Sequence, residues 1–321
     1  MTPPYVALGD SYAAGVGAGV PHSVCWRSRA GYPVAVAGSL GLTVAYQACL
    51  GATVGHVLDY QLGALSPDTD LVTLTIGGND IGFVPVLIAC AEPAWMSDSD
   101  AVIDQALRLL RTTLPDRLDR LHEVVRATAP GARRVVTAYP RLFAGLDCSL
   151  LTFFSDHEMD RLNAAADELV VTVEAAAGRA GADFVDVRAR FTDHAVCQPD
   201  PWLNGVSAVV VNSFHPDAAG HDAYAAAVLA RLGLPPALVR AEEEQIVDGP
   251  CVPADVPIFR VPDVTSQRSL AGAAALGLDP AEVLALGRRL EVATATGFSD
   301  VEASARLHDL DAEARARAGR G

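Results

Sequence analysis

Two stretches far apart in the chain supply the residue types that acyl transfer needs. "GDSYAAG" (9–15) offers Ser11 where an apolar run gives way to small residues, and "VVNSFHPDAAGHDAY" (210–224) offers His215 just ahead of a helical pattern. A serine hydroxyl is a weak nucleophile until a neighbouring imidazole takes its proton. The oxyanion that forms next needs fixed hydrogen-bond donors. "CLGATVG" (49–55) contributes Gly51, whose backbone can approach a substrate with no Cβ in the way. "GGND" (77–80) contributes Asn79, an uncharged amide donor. Taken singly, each has a plainer reading. A strand-end serine is more often a helix cap, a glycine a simple turn, an asparagine a turn cap. His221, six residues after His215, is the rival base, and His56, just past the glycine block, could line the same site.

Five short runs read as buried strands that would position these residues: "YVALGD" (5–10), "LTVAYQAC" (42–49), "DLVTLTIGGND" (70–80), "ARRVVTAYP" (132–140) and "ADFVDVRARF" (182–191). Helical patterns separate them. One over 32–41 stops at Gly41. Another over 98–131 has Pro115 either as a break or as the start of a second helix. A third, over 156–181, starts near Ser155 or Asp156, and a fourth, over 215–233, is entered at Pro216 or Asp217. Alternating strands and helices predict an α/β three-layer sandwich, with a central parallel five-stranded sheet and helices on both faces. Ligands bind such sheets at the carboxyl ends of the strands. The three glycine-containing blocks all follow predicted strands, so they converge on one edge.

The composition narrows the partners. Among 321 residues, 50% are hydrophobic and 20% charged, which suits a well-packed globule. A net charge of −15 argues against nucleic acid and anionic membrane. All 24 basic residues are arginine. No apolar run approaches the roughly 20 residues of a membrane span. Cys25, Cys49, Cys90, Cys148, Cys197 and Cys251 form no CxxC pair, so no metal site is expected. An even, dispersed set fits three disulfides in an exported protein, with connectivity left open among fifteen possibilities. Secretion is the expectation. The cytoplasm is the alternative, because no basic and apolar leader precedes the first strand.

The four blocks, taken together and in order, resemble the SGNH (GDSL-type) hydrolase superfamily, and their wider contexts resemble its secreted bacterial lipases and esterases. The resemblance rests on "YVALGDSYAAG", "CLGATVGHVL", "VTLTIGGNDIGF" and "SFHP", and spans about residues 5–251. It implies a serine ester hydrolase without a cofactor, acting on a small-molecule or lipid ester. Ser11 is then the nucleophile and His215 the base. The Ser11 and Gly51 backbone N–H groups and the Asn79 amide form the oxyanion hole. It also implies three sequential bridges: Cys25–Cys49, Cys90–Cys148 and Cys197–Cys251. Acyl transfer in an intracellular biosynthetic pathway, through the same site, is the alternative reading. A non-catalytic relative is disfavoured by the intact serine, glycine, asparagine and histidine.

The chain departs from the family at one point. Many members carry Asp three residues before the histidine, where this chain has Asn212. An amide oxygen can accept the Nδ1–H but cannot stabilise an imidazolium as a charge can. Asp10, Asp80 and Asp217 read as caps or loop braces. The expected acceptor is a main-chain carbonyl just before His215, Ser213 first and Phe214 second, with Asn212 as the competing choice. Ile81, Phe83 and Val86 are candidates for an acyl pocket, or else ordinary core. Organisation along the chain is expected as a hydrolase domain over 1–251, a Pro-rich linker over 252–264 and a small helical extension over 265–321. That extension reads as a packing appendage or tail in preference to a docking module.

Overall fold

The computed structural model describes residues 3–235 and 238–319. The ends of the expected outer segments, 1–2 and 320–321, lie outside these. Six parallel strands form one sheet: β1 (Tyr5–Gly9), β2 (Val44–Tyr46), β3 (Leu71–Thr75), β4 (Arg133–Thr137), β5 (Asp183–Val185) and β6 (Ile246–Asp248), in the order β5-β4-β3-β1-β2-β6. The helices are α1 (Ser11–Ala14), α2 (Tyr32–Leu40), α3 (Val54–Tyr60), α4 (Phe83–Ala91), α5 (Ser99–Thr112), α6 (Leu114–Thr128), α7 (Asp156–Arg179) and α8 (Ala218–Arg231). After β6 come α9 (Gln267–Ala275), α10 (Pro280–Ala295) and α11 (Val301–Ala318).

The fold class is the expected parallel sheet flanked by helices, with six strands in place of five. β6 escaped the sequence reading because Val247 and Asp248 are exposed and the strand is flanked by polar Glu242–Gln245 and by Gly249-Pro250, so no apolar run marks it. β1 and β3, by contrast, are buried throughout and read as unbroken apolar runs, as central strands of a parallel sheet do. Three threonines in the sheet interior are satisfied by buried hydroxyls. Thr73 bonds Tyr5 at 2.7 Å, Thr75 bonds Tyr32 at 3.0 Å, and Thr75 bonds Thr137 at 2.6 Å. α2 and α8 pack on each other as one layer, and α3, α5, α6 and α7 form the other. Pro115 opens α6, and a Ser155–Glu158 capping box starts α7.

β1 lies where the strand order reverses, between β2 and β3. In doubly wound sheets that switch point opens the ligand crevice. The register sets Gly9 opposite Thr75 and Ala7 opposite Tyr46, so the turns after β1, β2 and β3 emerge side by side.

The disulfides correct the expected pairing. Cys25 is bonded to Cys49, the first expected pair, but Cys148 is bonded to Cys197, while Cys90 and Cys251 are free. The reason is local. Phe143 forms a parallel bridge with Val196, and the Val196 N–H donates to the Leu142 carbonyl at 3.0 Å. That brings the loop after β4 alongside the segment after β5, with Cys148 and Cys197 at a Cα separation of 5.7 Å, inside the range a disulfide spans. Cys90 sits inward on α4, in the main core.

α9, α10 and α11 close a second, smaller core. Val283, Leu286, Leu290, Leu307 and Leu310 meet Ala94, Trp95, Met96 and Phe153 from the body of the protein. Polar ties seal the seam. The Trp95 indole donates to Ser269 at 2.9 Å, the Ala94 N–H donates to Asp311 at 2.6 Å, and Arg268 pairs with Glu92. The segment 252–264 has no regular secondary structure, yet Phe259 belongs to the main core and Val264 to the second.

Candidate active site

β1 ends in Gly9 at φ +133°, so close to β3 that a Cβ would lie 2.2 Å from the Thr75 carbonyl oxygen. The chain then turns straight into α1, with Asp10 as its cap: the carboxylate accepts the Tyr12 N–H at 3.0 Å. Ser11 is the first helical residue. Its N–H donates to nothing among the described residues, as befits the first turn of a helix. The other Asp10 oxygen accepts the Tyr139 hydroxyl at 2.5 Å, and the same hydroxyl accepts the Gly78 N–H at 3.1 Å. Tyr139 thereby ties the serine turn to the asparagine turn. Burial pushes the Asp10 carboxyl up to about 7, against the lowering effect of the bond from Tyr139.

Gly51 sits at φ +75°, a left-handed conformation that glycine adopts without strain, and its N–H also donates to nothing among the described residues. Asn79 donates one amide hydrogen to the Ala52 carbonyl at 3.0 Å and keeps a second. Asp80 accepts the Val54 N–H at 2.9 Å and pairs with Arg117 at 3.0 Å, bracing the glycine turn against the asparagine turn. Burial is the first cause of a raised Asp80 pKa.

His215 arrives from the opposite side. Its Nε2 is 2.7 Å from the Ser11 hydroxyl oxygen, and its Nδ1 is 3.0 Å from the Ser213 carbonyl. A carbonyl only accepts, so Nδ1 carries the proton and Nε2 is the acceptor for Ser11. Burial pushes the imidazole down to about 4, partly offset by the carbonyls of Ser213 and Val211. Phe214 bends the loop at φ +61°, its carbonyl accepts the Tyr12 hydroxyl at 2.8 Å, and its N–H donates to the Asn204 carbonyl at 2.9 Å. Asn204 returns two bonds to the His215 carbonyl, from its backbone N–H and its amide, both at 2.9 Å. The Asn212 side-chain oxygen is buried and meets no partner among the described residues.

The structure therefore gathers Ser11, Gly51, Asn79, His215 and Ser213 around one pocket. His221 lies deep inside, 3.3 Å from the Val16 carbonyl and stacked near Tyr32, and His56 packs on Tyr60. Neither lines the pocket. Asp217 caps α8 through the Gly220 N–H. The pocket holds about 40 Å³ and is otherwise apolar, with Leu50, Phe83 and Leu87 on its walls. Phe83 also borders a second apolar cavity of about 50 Å³, lined by Ile81 and Val86. Among the described residues, no three His, Cys, Asp or Glu side chains gather as metal ligands.

Sequence reasoning missed Tyr139, Asn204 and the segment 256–259. Tyr139 follows β4 at the same sheet edge as the other blocks, which was a usable signal. Asn204 had none, since its value lies in a loop contact that no periodicity encodes. Residues 256–259 were hidden inside a Pro-rich stretch read as a linker, yet Val256, Pro257, Ile258 and Phe259 line the pocket.

Residues 7–223 match the model of the GDSL-like lipase/acylhydrolase family. A lipase from Streptomyces rimosus is 40% identical over 223 residues, covering 67% of this chain and 81% of its own. The solved phospholipase A1 from Streptomyces albidoflavus NA297 superposes with a TM-score of 0.65 at 36% identity, covering 71% of this chain and 97% of its own. The solved extracellular lipase from Streptomyces rimosus gives 0.64 at 36% identity, with the same two coverages. The chain belongs to the GDSL-like lipase/acylhydrolase family and is a carboxylic ester hydrolase.

Proposed function

We propose that the protein hydrolyses acyl esters of lipid type through an acyl-enzyme on Ser11. The observation that carries this is the unbroken chain Ser11 Oγ–His215 Nε2 and His215 Nδ1–Ser213 O, in a pocket that Gly51 and Asn79 also line, with the Ser11 and Gly51 N–H groups donating to nothing among the described residues. His215 takes the hydroxyl proton as Ser11 Oγ bonds to the ester carbonyl carbon. The carbonyl oxygen, now negative, is held by the Ser11 and Gly51 N–H groups and by the free hydrogen of Asn79. As the tetrahedral adduct collapses, His215 returns the proton to the departing alcohol. Water then enters, loses a proton to His215 and releases the acid, restoring Ser11. A carbonyl in place of a carboxylate behind Nδ1 fixes the tautomer while leaving the imidazolium without a neutralising charge. The apolar walls of Leu50, Phe83 and Leu87 favour an acyl chain over an acetylated sugar.

The two disulfides and the likeness to an extracellular lipase are consistent with secretion, and we take the protein to act outside the cytoplasm. The test is a p-nitrophenyl ester series on the protein and on Ser11→Ala. Water-dependent turnover should fall by at least about 10³-fold in the variant. Equal rates would remove Ser11 as nucleophile, and turnover only with an added alcohol would point to acyl transfer.

A further inference from the structure

The pocket around Ser11 is closed on one side by residues that lie beyond the family match, which ends at 223. These residues belong to a strap pinned at both ends. At its start, the fully buried Arg27 donates to the carbonyls of Gly249 at 2.8 Å and Pro250 at 3.2 Å, and also to those of Ala48 and Gln47. At its end, Val264 is inserted in the second core, and Asp263 accepts from the N–H and hydroxyl of Thr265. Between them the backbone of 253–262 makes no hydrogen bond among the described residues. Side-chain packing alone holds it on the pocket. Val256 fills the space a Gly51 side chain would need: a Cβ there would meet Val256 Cγ2 at 2.1 Å. Phe259 is 5% exposed and stands edge-on to Phe214, the neighbour of His215, with ring centres 4.9 Å apart.

The space left under this roof is small. About 40 Å³ holds a few water molecules, and ligand pockets usually offer about 300–1,000 Å³. An acyl chain too long for this space must displace the strap, fit between its side chains and Phe83, or pass Phe83 into the neighbouring apolar cavity.

We propose that Val256 and Phe259 are specificity-determining residues: the strap is the pocket wall that sets how large an ester Ser11 accepts. This rests on the reading of Ser11 as the nucleophile. Val256 controls the space directly over Gly51, and Phe259 holds the strap against the histidine loop. The C-terminal helices anchor the strap through Val264, so their core serves the site from a distance.

The test uses the full chain with Val256→Ala, Phe259→Ala and Val256→Phe. Each is reacted with ethyl- and decyl-chain fluorophosphonates, and Ser11 labelling is followed by intact mass. The decyl-to-ethyl rate ratio is independent of how much protein is folded. It should rise at least about tenfold in Val256→Ala and in Phe259→Ala and fall by a similar factor in Val256→Phe, the scale of one or two methylenes in an apolar pocket. Ser11 labelled with the wild-type ratio in all three variants would overturn the strap proposal and leave the nucleophile intact. If no protein in the set, wild type included, is labelled at Ser11, the ester reading fails and takes this proposal with it.

Discussion

The loops that carry Ser11 and His215 and the strap that roofs them are held by different forces. These loops are tied through polar contacts that are buried or partly buried: Asp10 to Tyr139 to Gly78, Asp80 to Val54, Tyr12 to Phe214, and Asn204 to His215. The strap between 253 and 262 has no such tie among the described residues and rests on Val256 and Phe259. Hydrogen bonds are short and directional, so the first region has one geometry available to it. Apolar contact is non-directional, so the second can shift or be rebuilt at modest cost. Proton transfer needs the first property, because a displacement of about 1 Å is costly in rate. Selecting among esters needs only the second. On the proposed roles, chemistry and selection thus fall to separate parts of the chain.

The largest effect that probes this division is expected from Asn79→Ala. It removes the tie to the Ala52 carbonyl and, in the proposed mechanism, a donor to the oxyanion. kcat should drop by about 10²–10³-fold for every ester, short or long. Strap variants, in contrast, should change the ratio between esters. A loss with Asn79→Ala confined to long acyl chains would break the comparison, since Asn79 would then belong to selection.

What could be read from the sequence follows the same line. Ser11, Gly51, Asn79 and His215 were legible because each sits in a short block at a strand end or helix start, where local turn chemistry fixes backbone geometry. β1, β2 and β3 were legible for a similar reason: parallel strands buried throughout write themselves as apolar runs, and β4 and β5 sit inside longer apolar stretches. Ser213 could be ranked first among the acceptors, ahead of Phe214 and with Asn212 still competing, and the structure sets its carbonyl 3.0 Å from His215 Nδ1. The bridge Cys148–Cys197 was not, because it depends on the Phe143–Val196 pairing, a contact between loops with no periodic signature. The strap was illegible for a further reason. Pro and Val in 252–264 describe an extended chain, and nothing in that composition says what an extended chain lies upon.

A second, intermediate effect concerns pH. Only the neutral imidazole can accept the Ser11 proton. Burial pushes His215 down to about 4, so the base is neutral over most of the acidic range. kcat/KM should be flat from neutral pH to near 5 and fall about tenfold per unit below 4, as protonation removes the base. The sign is fixed by the role: an acid limb rising with pH. Initial rates in a constant-ionic-strength buffer series, with folding checked at each pH, would show it. Asp10, raised to about 7 beside Ser11, can also give a limb there. Only a midpoint near 7 that persists in Asp10→Asn would therefore mean that a negative charge stabilises the imidazolium, and would weaken the assignment of a carbonyl as the partner.

The smallest effect is expected from Asn212→Ala, and it is the sharpest test of which oxygen holds the histidine. The Asn212 side-chain oxygen is buried without a partner among the described residues. Its main chain does the local work: the N–H donates to Val209 at 2.8 Å and the carbonyl accepts from His215 at 3.2 Å. Alanine keeps both bonds and removes an acceptor that no described residue satisfies, so stability should hold or improve slightly. kcat/KM should stay within about threefold of the parent, the range of substitutions that break no named interaction. A loss as deep as that of His215→Ala would make Asn212 a true third member and displace Ser213. Retention of activity, together with the low acid limb, would leave Ser213 as the oxygen that sets the tautomer. The fixed half of the comparison would then reach its last atom through main chain alone.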